Sequence, residues 1–197
     1  MVITDIKLGK RKNVLVYSNG ELILNIAKEV FLKTNIKIGY DISIKEINSI
    51  MSESNLYNAK EKALNILSYR SHSKKQLSDK LKLKFGQDIC DETLRKMESL
   101  NLVNDENYAK NYAQYLANNK YYSLRRIKRE LSIKGIDREI ISETLENLDI
   151  DEYENINKVI CKKEIKNDKD KKRLIDKLLR LGYEWSQISY VMDSREG

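Results

Sequence analysis

Ser123-Leu124-Arg125-Arg126-Ile127-Lys128-Arg129-Glu130-Leu131-Ser132-Ile133-Lys134-Gly135 reads as one helix complete with its punctuation. Serine opens it as an N-cap, Ile127 and Leu131 place an apolar stripe one turn apart, and glycine closes it. The same pattern recurs on either side. Ser73 precedes Leu77 and Leu81, and Asp170 precedes Leu174 and Leu178, at shifts of 50 and 47 residues. Gly86, Gly135 and Gly182 are the corresponding stops, with Phe85 at the position aligned to Gly135 in the first copy. Self-similarity at this period sets the architecture before any single residue is interpreted.

Each copy of this helix is flanked by two more stretches with helical spacing. The first-helix faces are Ala63 and Leu67; Ala109, Tyr112, Ala113 and Leu116; and Tyr153, Ile156, Val159 and Ile160. The third-helix faces are Leu94, Met97 and Leu100; Ile140, Ile141, Thr144, Leu145 and Leu148; and Trp185, Ile188, Val191 and Met192. Such stripes mark core. A capping box, Ser43-Ile44-Lys45-Glu46, opens a leading helix towards Ser52, and Leu56, Ala59, Ala63, Ile66 and Leu67 continue at helical spacing.

The first residues differ. Val14-Leu15-Val16-Tyr17 and Leu22-Ile23-Leu24 flank Ser18-Asn19-Gly20-Glu21, and Asn-Gly is a strong signal for a type I′ hairpin turn. Val2 to Ile6 adds a further strand, with Lys10-Arg11-Lys12 as its turn, and a short helix around Ala27 to Lys33 covers the sheet. An element this small requires docking on something else. The expected fold is mainly α: tandem three-helix repeats in an elongated curved array with a small N-terminal β-hairpin element. The division is 1–42 for the β-rich element, 43–104 for the first repeat with its leading helix, 105–149 for the second repeat and 150–197 for the third.

The 197 residues contain no proline, so long helices are permitted throughout. Charged residues make up 34% and mean hydropathy is −0.61, with no apolar run of transmembrane length and no signal-peptide core, so a cytoplasmic protein without a membrane association is expected. Cys90 and Cys161 lie far apart in apolar-periodic segments and read as reduced, semi-buried small hydrophobes. The only histidine, His72, falls between two serines with no partner at ligand spacing, and reads as solvent-exposed or adjacent to a cap. No phosphate-cradling glycine loop occurs. No catalytic residue, metal site or cofactor is expected, and the chain reads as a non-enzyme.

Net charge is +7, and its distribution along the chain is more informative than the total. Arg70 to Lys84 holds six bases and one acid, Lys120 to Lys134 again six and one, and Lys162 to Arg180 nine and four. The following helices lean the other way, with four acids and two bases from Gly86 to Glu98 and five acids and one base from Asp137 to Asp149. Lys75, Arg125 and Lys172 align, followed by Gln76, Arg126 and Arg173 and preceded by Lys74, Leu124 and Lys171. Recurrent cations of this kind suit a phosphate backbone, reinforced by N–H groups at the helix start. Lys74, Lys75, Arg125, Arg126, Arg129, Lys171, Lys172 and Arg173 are therefore the candidate anion, DNA or filament contacts. Tyr121-Tyr122 either stacks on unpaired bases or packs the loop against helix ends.

Three stretches resemble the RecX family, regulators of the bacterial recombinase RecA. They are Ala63-Leu64-Asn65-Ile66-Leu67-Ser68-Tyr69-Arg70-Ser71-His72-Ser73-Lys74-Lys75-Gln76-Leu77, then Leu100 to Ala109, then Arg126 to Ile136. They look like the family's Ala-Leu-x-x-Leu, Asp-x-x-Tyr-Ala and Glu-Leu-x-x-Lys-Gly-Ile signatures, and the clear match spans about residues 55 to 150. The resemblance implies a non-enzymatic, mainly negative modulator that lies along the RecA–DNA filament and restrains its ATPase, coprotease and strand-exchange activities. The implied partners are the RecA filament and single- and double-stranded DNA bound without sequence preference; a monomer is the default. A helical DNA-binding transcription regulator is the alternative, although its third, reading helix would rarely be acidic. A protein-binding helical scaffold is another.

Overall fold

A computed structural model describes residues 1–10, 13–163 and 167–196. Arg11 and Lys12 of the expected Lys10-Arg11-Lys12 turn lie outside the described residues. The chain divides into two compact units. One comprises Met1–His72 and Leu77–Val103, the other Ser73–Gln76 and Asn104–Gly197.

The first unit begins with an antiparallel sheet in the order β1 (Asp5–Leu8), β2 (Asn13–Ser18), β3 (Glu21–Ala27). Asn19 and Gly20 take φ of 50° and 81°, as the Asn-Gly hairpin requires, and Ser18 pairs with Glu21 across the turn. Alternate residues of β2 are buried, so Val14 and Val16 face a core shared with Ile3, Leu24, Ile26, Ile42 and Ile47. The expected cover, α1, is a single turn (Lys28–Phe31). The docking the small sheet requires comes from α2 (Ile44–Tyr69), which packs on β3 and whose Ser54 Oγ accepts the Ala27 N–H at 2.9 Å.

The Ser43/Glu46 capping box is formed, and α2 then runs for 26 residues without a break. Its first half closes the sheet, while Ala59 and Ala63 in its second half enter a separate core. There they meet α3 (Lys74–Lys82) and α4 (Gln87–Ser99) through Leu77, Leu81, Cys90, Leu94 and Met97. The second unit repeats the arrangement twice. Helices α5 (Asp105–Lys120), α6 (Leu124–Ile133) and α7 (Arg138–Glu146) enclose Ala109, Ala113, Ile127, Leu131 and Ile141. Helices α8 (Glu152–Cys161), α9 (Asp168–Leu181) and α10 (Trp185–Glu196) enclose Ile156, Val159, Leu174, Leu178, Tyr183 and Ile188. Mainly helical architecture with a small N-terminal sheet is thus what the sequence specifies.

All six residues of the recurring pair, Leu77, Leu81, Ile127, Leu131, Leu174 and Leu178, are 0% exposed. Truncating any one to alanine removes transfer free energy and leaves a cavity, at a cost of about 2–5 kcal/mol.

Several local expectations are corrected. Asp170 is not a cap: α9 starts at Asp168, and Asn167 accepts the Asp170 N–H. Gly86 is not a left-handed stop but the extended N-cap of α4, with φ −66°, whereas Gly135 and Gly182 do take positive φ of 77° and 101°. Leu100, Tyr153 and Trp185 sit at helix edges and remain exposed, and Cys161 is exposed while Cys90 is buried. His72 is buried rather than solvent-exposed, beside the Ser73 cap of α3.

Candidate anion-binding cavity

Within the second unit the basic helices meet their neighbours through a joint that occurs twice. The Leu124 N–H at the start of α6 donates to Glu152 Oε1 of α8 at 2.7 Å, and Ser123 N–H donates to the Leu181 carbonyl at 3.0 Å. The Lys74 N–H at the start of α3 likewise donates to Asp105 Oδ1 of α5 at 2.8 Å, and Ser73 Oγ donates to the Lys134 carbonyl at 2.6 Å. In both cases the start of one basic helix rests on the glycine-ended terminus of the next. A Cβ on Gly135 would lie 2.6 Å from Lys75 Cβ, and one on Gly182 would lie 2.7 Å from Arg126 Cβ. Glycine is therefore required there twice over, by positive φ and by close approach.

The joint also settles where the helix-start N–H groups go. Ser73 accepts from Gln76 N–H and Ser123 from Arg126 N–H, each at 3.2 Å, and carboxylates take the Lys74 and Leu124 donors. Two first-turn N–H groups of each helix are thereby engaged within the protein, which lessens the contribution expected of them to an anion site and leaves more of it to side chains.

Bringing the start of α6 onto the end of α9 creates a cavity of about 760 Å³ lined by Tyr122, Arg125, Arg126, Arg129, Lys177 and Arg180, with no carboxylate among the described residues that line it. Five cations around one concave surface focus a positive potential into it. Their roles are unequal. The Arg126 guanidinium pairs with Glu130 at 2.8 Å and lies 5.4 Å from the Tyr122 ring centroid, and its Nε is buried without a partner among the described residues. Arg125 is exposed, and its ion pair to Glu184 at the rim is a loose one at 4.0 Å. Arg126 shapes the wall, while Arg125 extends into solvent.

Of the sequence-predicted contacts, the structure brings Arg125, Arg126 and Arg129 together here. Lys74 and Lys75 stand at the other joint, where the Lys75 stem covers Gly135. Lys171, Lys172 and Arg173 lie in the first turns of α9, and Arg173 is 3.7 Å from Asp170. From Lys172 to Arg180 the helix rises roughly 12 Å, so alignment of Lys172 with Arg125 does not make them neighbours. Lys177 and Arg180 take that place, and sequence reasoning missed them. The available signal was the pair Gly182 and Ser123: a small residue ending one basic helix and a small cap opening the previous one can meet closely.

Tyr121 packs rather than standing free. Its hydroxyl accepts from Lys162 Nζ at 2.8 Å, an ammonium that also lies 4.2 Å from its ring centroid and holds the phenol below its ordinary range. Its carbonyl accepts the Tyr183 hydroxyl at 2.9 Å, and burial pushes the Tyr183 phenol well above its ordinary range. No group of His, Cys, Asp and Glu among the described residues could hold a metal, and no helix among them is long and apolar enough to cross a membrane.

Residues 59–97 match the model of the first three-helix domain of RecX, and residues 104–145 that of the second. The Regulatory protein RecX of Clostridioides difficile (strain 630) is 33% identical over 201 residues, covering 98% of this chain and 94% of its own length. The chain belongs to the RecX family. A second relative of the same name, from Caldanaerobacter subterraneus subsp. tengcongensis, is 31% identical over 196 residues, 98% of this chain and 99% of its own. Among solved structures, a crystal structure of regulatory protein RecX superposes with a TM-score of 0.68 at 20% identity over 98% of both chains. RecX from Lactobacillus salivarius gives 0.57 at 24% identity, over 72% of this chain and 97% of its own. These two similarities bear on the fold. Each matched domain model covers one of the serine-capped basic helices, α3 or α6, that form the joints.

Proposed function

We propose that this chain is a non-enzymatic, mainly negative regulator of the RecA recombinase, binding along the RecA–DNA filament and restraining its ATPase, coprotease and strand-exchange activities. Its relatives carry the name Regulatory protein RecX, and regulation of RecA is the role that name denotes. The observation that carries the physical side is the cavity between α6 and α9, with five cations and no acid among the described residues of its lining. A polyanion such as the DNA backbone of the filament is the partner such a surface favours, through Lys and Arg contacts that need no particular base sequence. Arg125, Arg129, Lys177 and Arg180 make the phosphate contacts at the cavity. Lys74, Lys75, Lys171, Lys172 and Arg173 are the second rank, and Arg126 serves both the wall and the anion. The regulator acts as a cytoplasmic monomer.

The test is RecA-filament ATPase and strand exchange with the purified protein added. Both fall with rising protein in this reading, and Arg125→Glu with Arg129→Glu weakens the effect while circular dichroism stays unchanged. Absence of any effect at every stoichiometry removes the reading. Binding that ignores salt removes the cavity from it.

A further inference from the structure

The first unit holds a second basic concavity, unrelated to the joint. A cavity of about 380 Å³ between the last turns of α2 and the last turn of α3 is lined by Lys62, Asn65, Tyr69, Arg70, His72 and Lys80, again with no carboxylate among the described residues. Within that lining one group has incomplete chemistry. His72 is 3% exposed, and its Nδ1 lies 2.9 Å from the Arg70 carbonyl. A carbonyl only accepts, so Nδ1 carries the proton and, in the neutral ring, Nε2 is a bare acceptor. That Nε2 is buried and has no partner among the described residues. A buried polar atom left unpaired in a native fold calls for a reason.

The charges around it supply one. Lys62, Tyr69 and Arg70 face the cavity from α2 and its end, and Lys80 faces it from α3. Burial first, and then the positive charges of Lys80 and Arg70, hold the imidazole below its ordinary range against the opposing hydrogen bond to the Arg70 carbonyl. The cavity thus suppresses charge on its own histidine, and an anion among the three cations reverses the balance.

We propose that this cavity binds a phosphoryl anion between Lys62, Arg70 and Lys80, and that His72 takes up a proton from solvent as the anion arrives. Protonation makes Nε2 a donor and gives it the partner it lacks. Tyr69, 85% exposed in the same lining, offers a ring face on which a nucleobase can stack, so a phosphodiester of single-stranded nucleic acid is the favoured source of the anion. The site stands independently of the recombinase reading, since it uses different residues in the other unit.

His72 is the only histidine in the chain, so its ring signals in nuclear magnetic resonance need no further assignment. The full-length protein is titrated with acid alone, with sodium sulfate, and with a short oligothymidylate, anions that do not change charge near neutral pH. The His72 midpoint lies below 6.5 in the free protein and rises with the oligonucleotide. Reciprocally, oligonucleotide affinity falls by up to about tenfold per pH unit between the free and bound midpoints. Lys62→Gln with Lys80→Gln, both exposed positions, abolishes the rise with helicity intact. A rise with sulfate alone supports the anion site and overturns the stacking role of Tyr69. A midpoint unmoved by either anion, or moved equally in the double variant, overturns the proposal.

Discussion

At the joint around Gly135 the close neighbour is the Lys75 side chain from its Cβ outward, whereas at the joint around Gly182 the neighbours are the Oγ of the cap Ser123 and the Cβ and backbone N of Arg126. The frame is otherwise shared: a serine cap, a carboxylate from the next first helix, and a left-handed glycine. The second joint opens into a cavity ringed by five cations. The difference separates two kinds of recurrence in this chain. Serine, carboxylate and glycine recur because, within the second unit, they join the start of one basic helix to a glycine-ended terminus. Cations recur along the same helices, but recurrence along a helix does not by itself gather them, as the meeting of the ends of α6 and α9 does.

The largest expected effect tests the frame. Gly182→Ala imposes a side chain at positive φ, costing about 1 kcal/mol, and overpacks against Ser123 and Arg126, costing roughly 1–3 kcal/mol more. Gly135→Ala carries the same backbone cost and meets Lys75 Cβ, which cannot swing aside, at 2.6 Å, so its loss is of the same order. Urea denaturation of the two variants reads both losses. If Gly182→Ala is as stable as the parent, the joint is not a close approach.

Next comes the cavity itself. Arg125→Glu with Arg129→Glu lowers affinity for single-stranded DNA by about tenfold or more, and flattens the dependence of log affinity on log salt by about two, one for each arginine withdrawn from the phosphate backbone. Lys172→Glu with Arg173→Glu changes the same net charge away from the cavity and has the smaller effect. Equal losses from the two pairs mean that total charge, not the shared space, decides binding. Arg126 is a poor probe of this question. It pairs with Glu130 and packs beside Gly182, so its removal disturbs the wall as well as the charge.

A smaller effect separates the carboxylates. Glu152→Gln and Asp105→Asn keep an acceptor for the helix-start N–H but remove its negative charge. Each variant loses about 0.5–1 kcal/mol, the scale of a charge at a helix N-terminus. Glu152 also accepts from Gln187 Nε2 at 2.8 Å, so its loss includes the weakening of that bond. Thermal unfolding of both variants at low and high salt measures it, and the loss shrinks as salt rises.

Much of this frame is legible in the chain because it is written at short range. Periodicity places the six buried residues of the recurring pair, and Asn19-Gly20 announces the hairpin. The Ser43/Glu46 box marks the start of α2. What fails does so for physical reasons. Asp170 looks like a cap, but Asn167 lies three residues earlier and offers the same chemistry, so the helix starts there. Gly86 aligns with the other stops, yet it lies four residues beyond the last residue of α3, where it opens α4 instead. Lys177 and Arg180 belong to the cavity through a contact between helix ends far apart in sequence, and an alignment of repeats compares equivalent positions, not touching ones. Arg125, Arg126 and Arg129 are legible because they share one helix.

The smallest effect concerns the other basic concavity and its histidine. In the unfolded chain His72 titrates near its ordinary value of 6.5, and in the folded protein its midpoint is lower, chiefly through burial. The folded state therefore binds fewer protons than the unfolded state between those midpoints, and stability rises with pH across that window. The contribution of a neutral, buried His72 is complete above about pH 6.5 and fades as pH falls towards the folded midpoint. In the joints no histidine takes part, so their contribution stays flat across the same window. His72→Gln keeps a polar side chain of similar reach and removes the titration, leaving urea midpoints at pH 5.5 and 7.5 closer together than in the parent, at about those two values on either side of the histidine range. A parent protein whose stability does not change between those conditions would show that His72 titrates alike in both states. Adding oligothymidylate at the lower pH then discriminates further, because an anion that raises the folded midpoint restores the stability that acid removes.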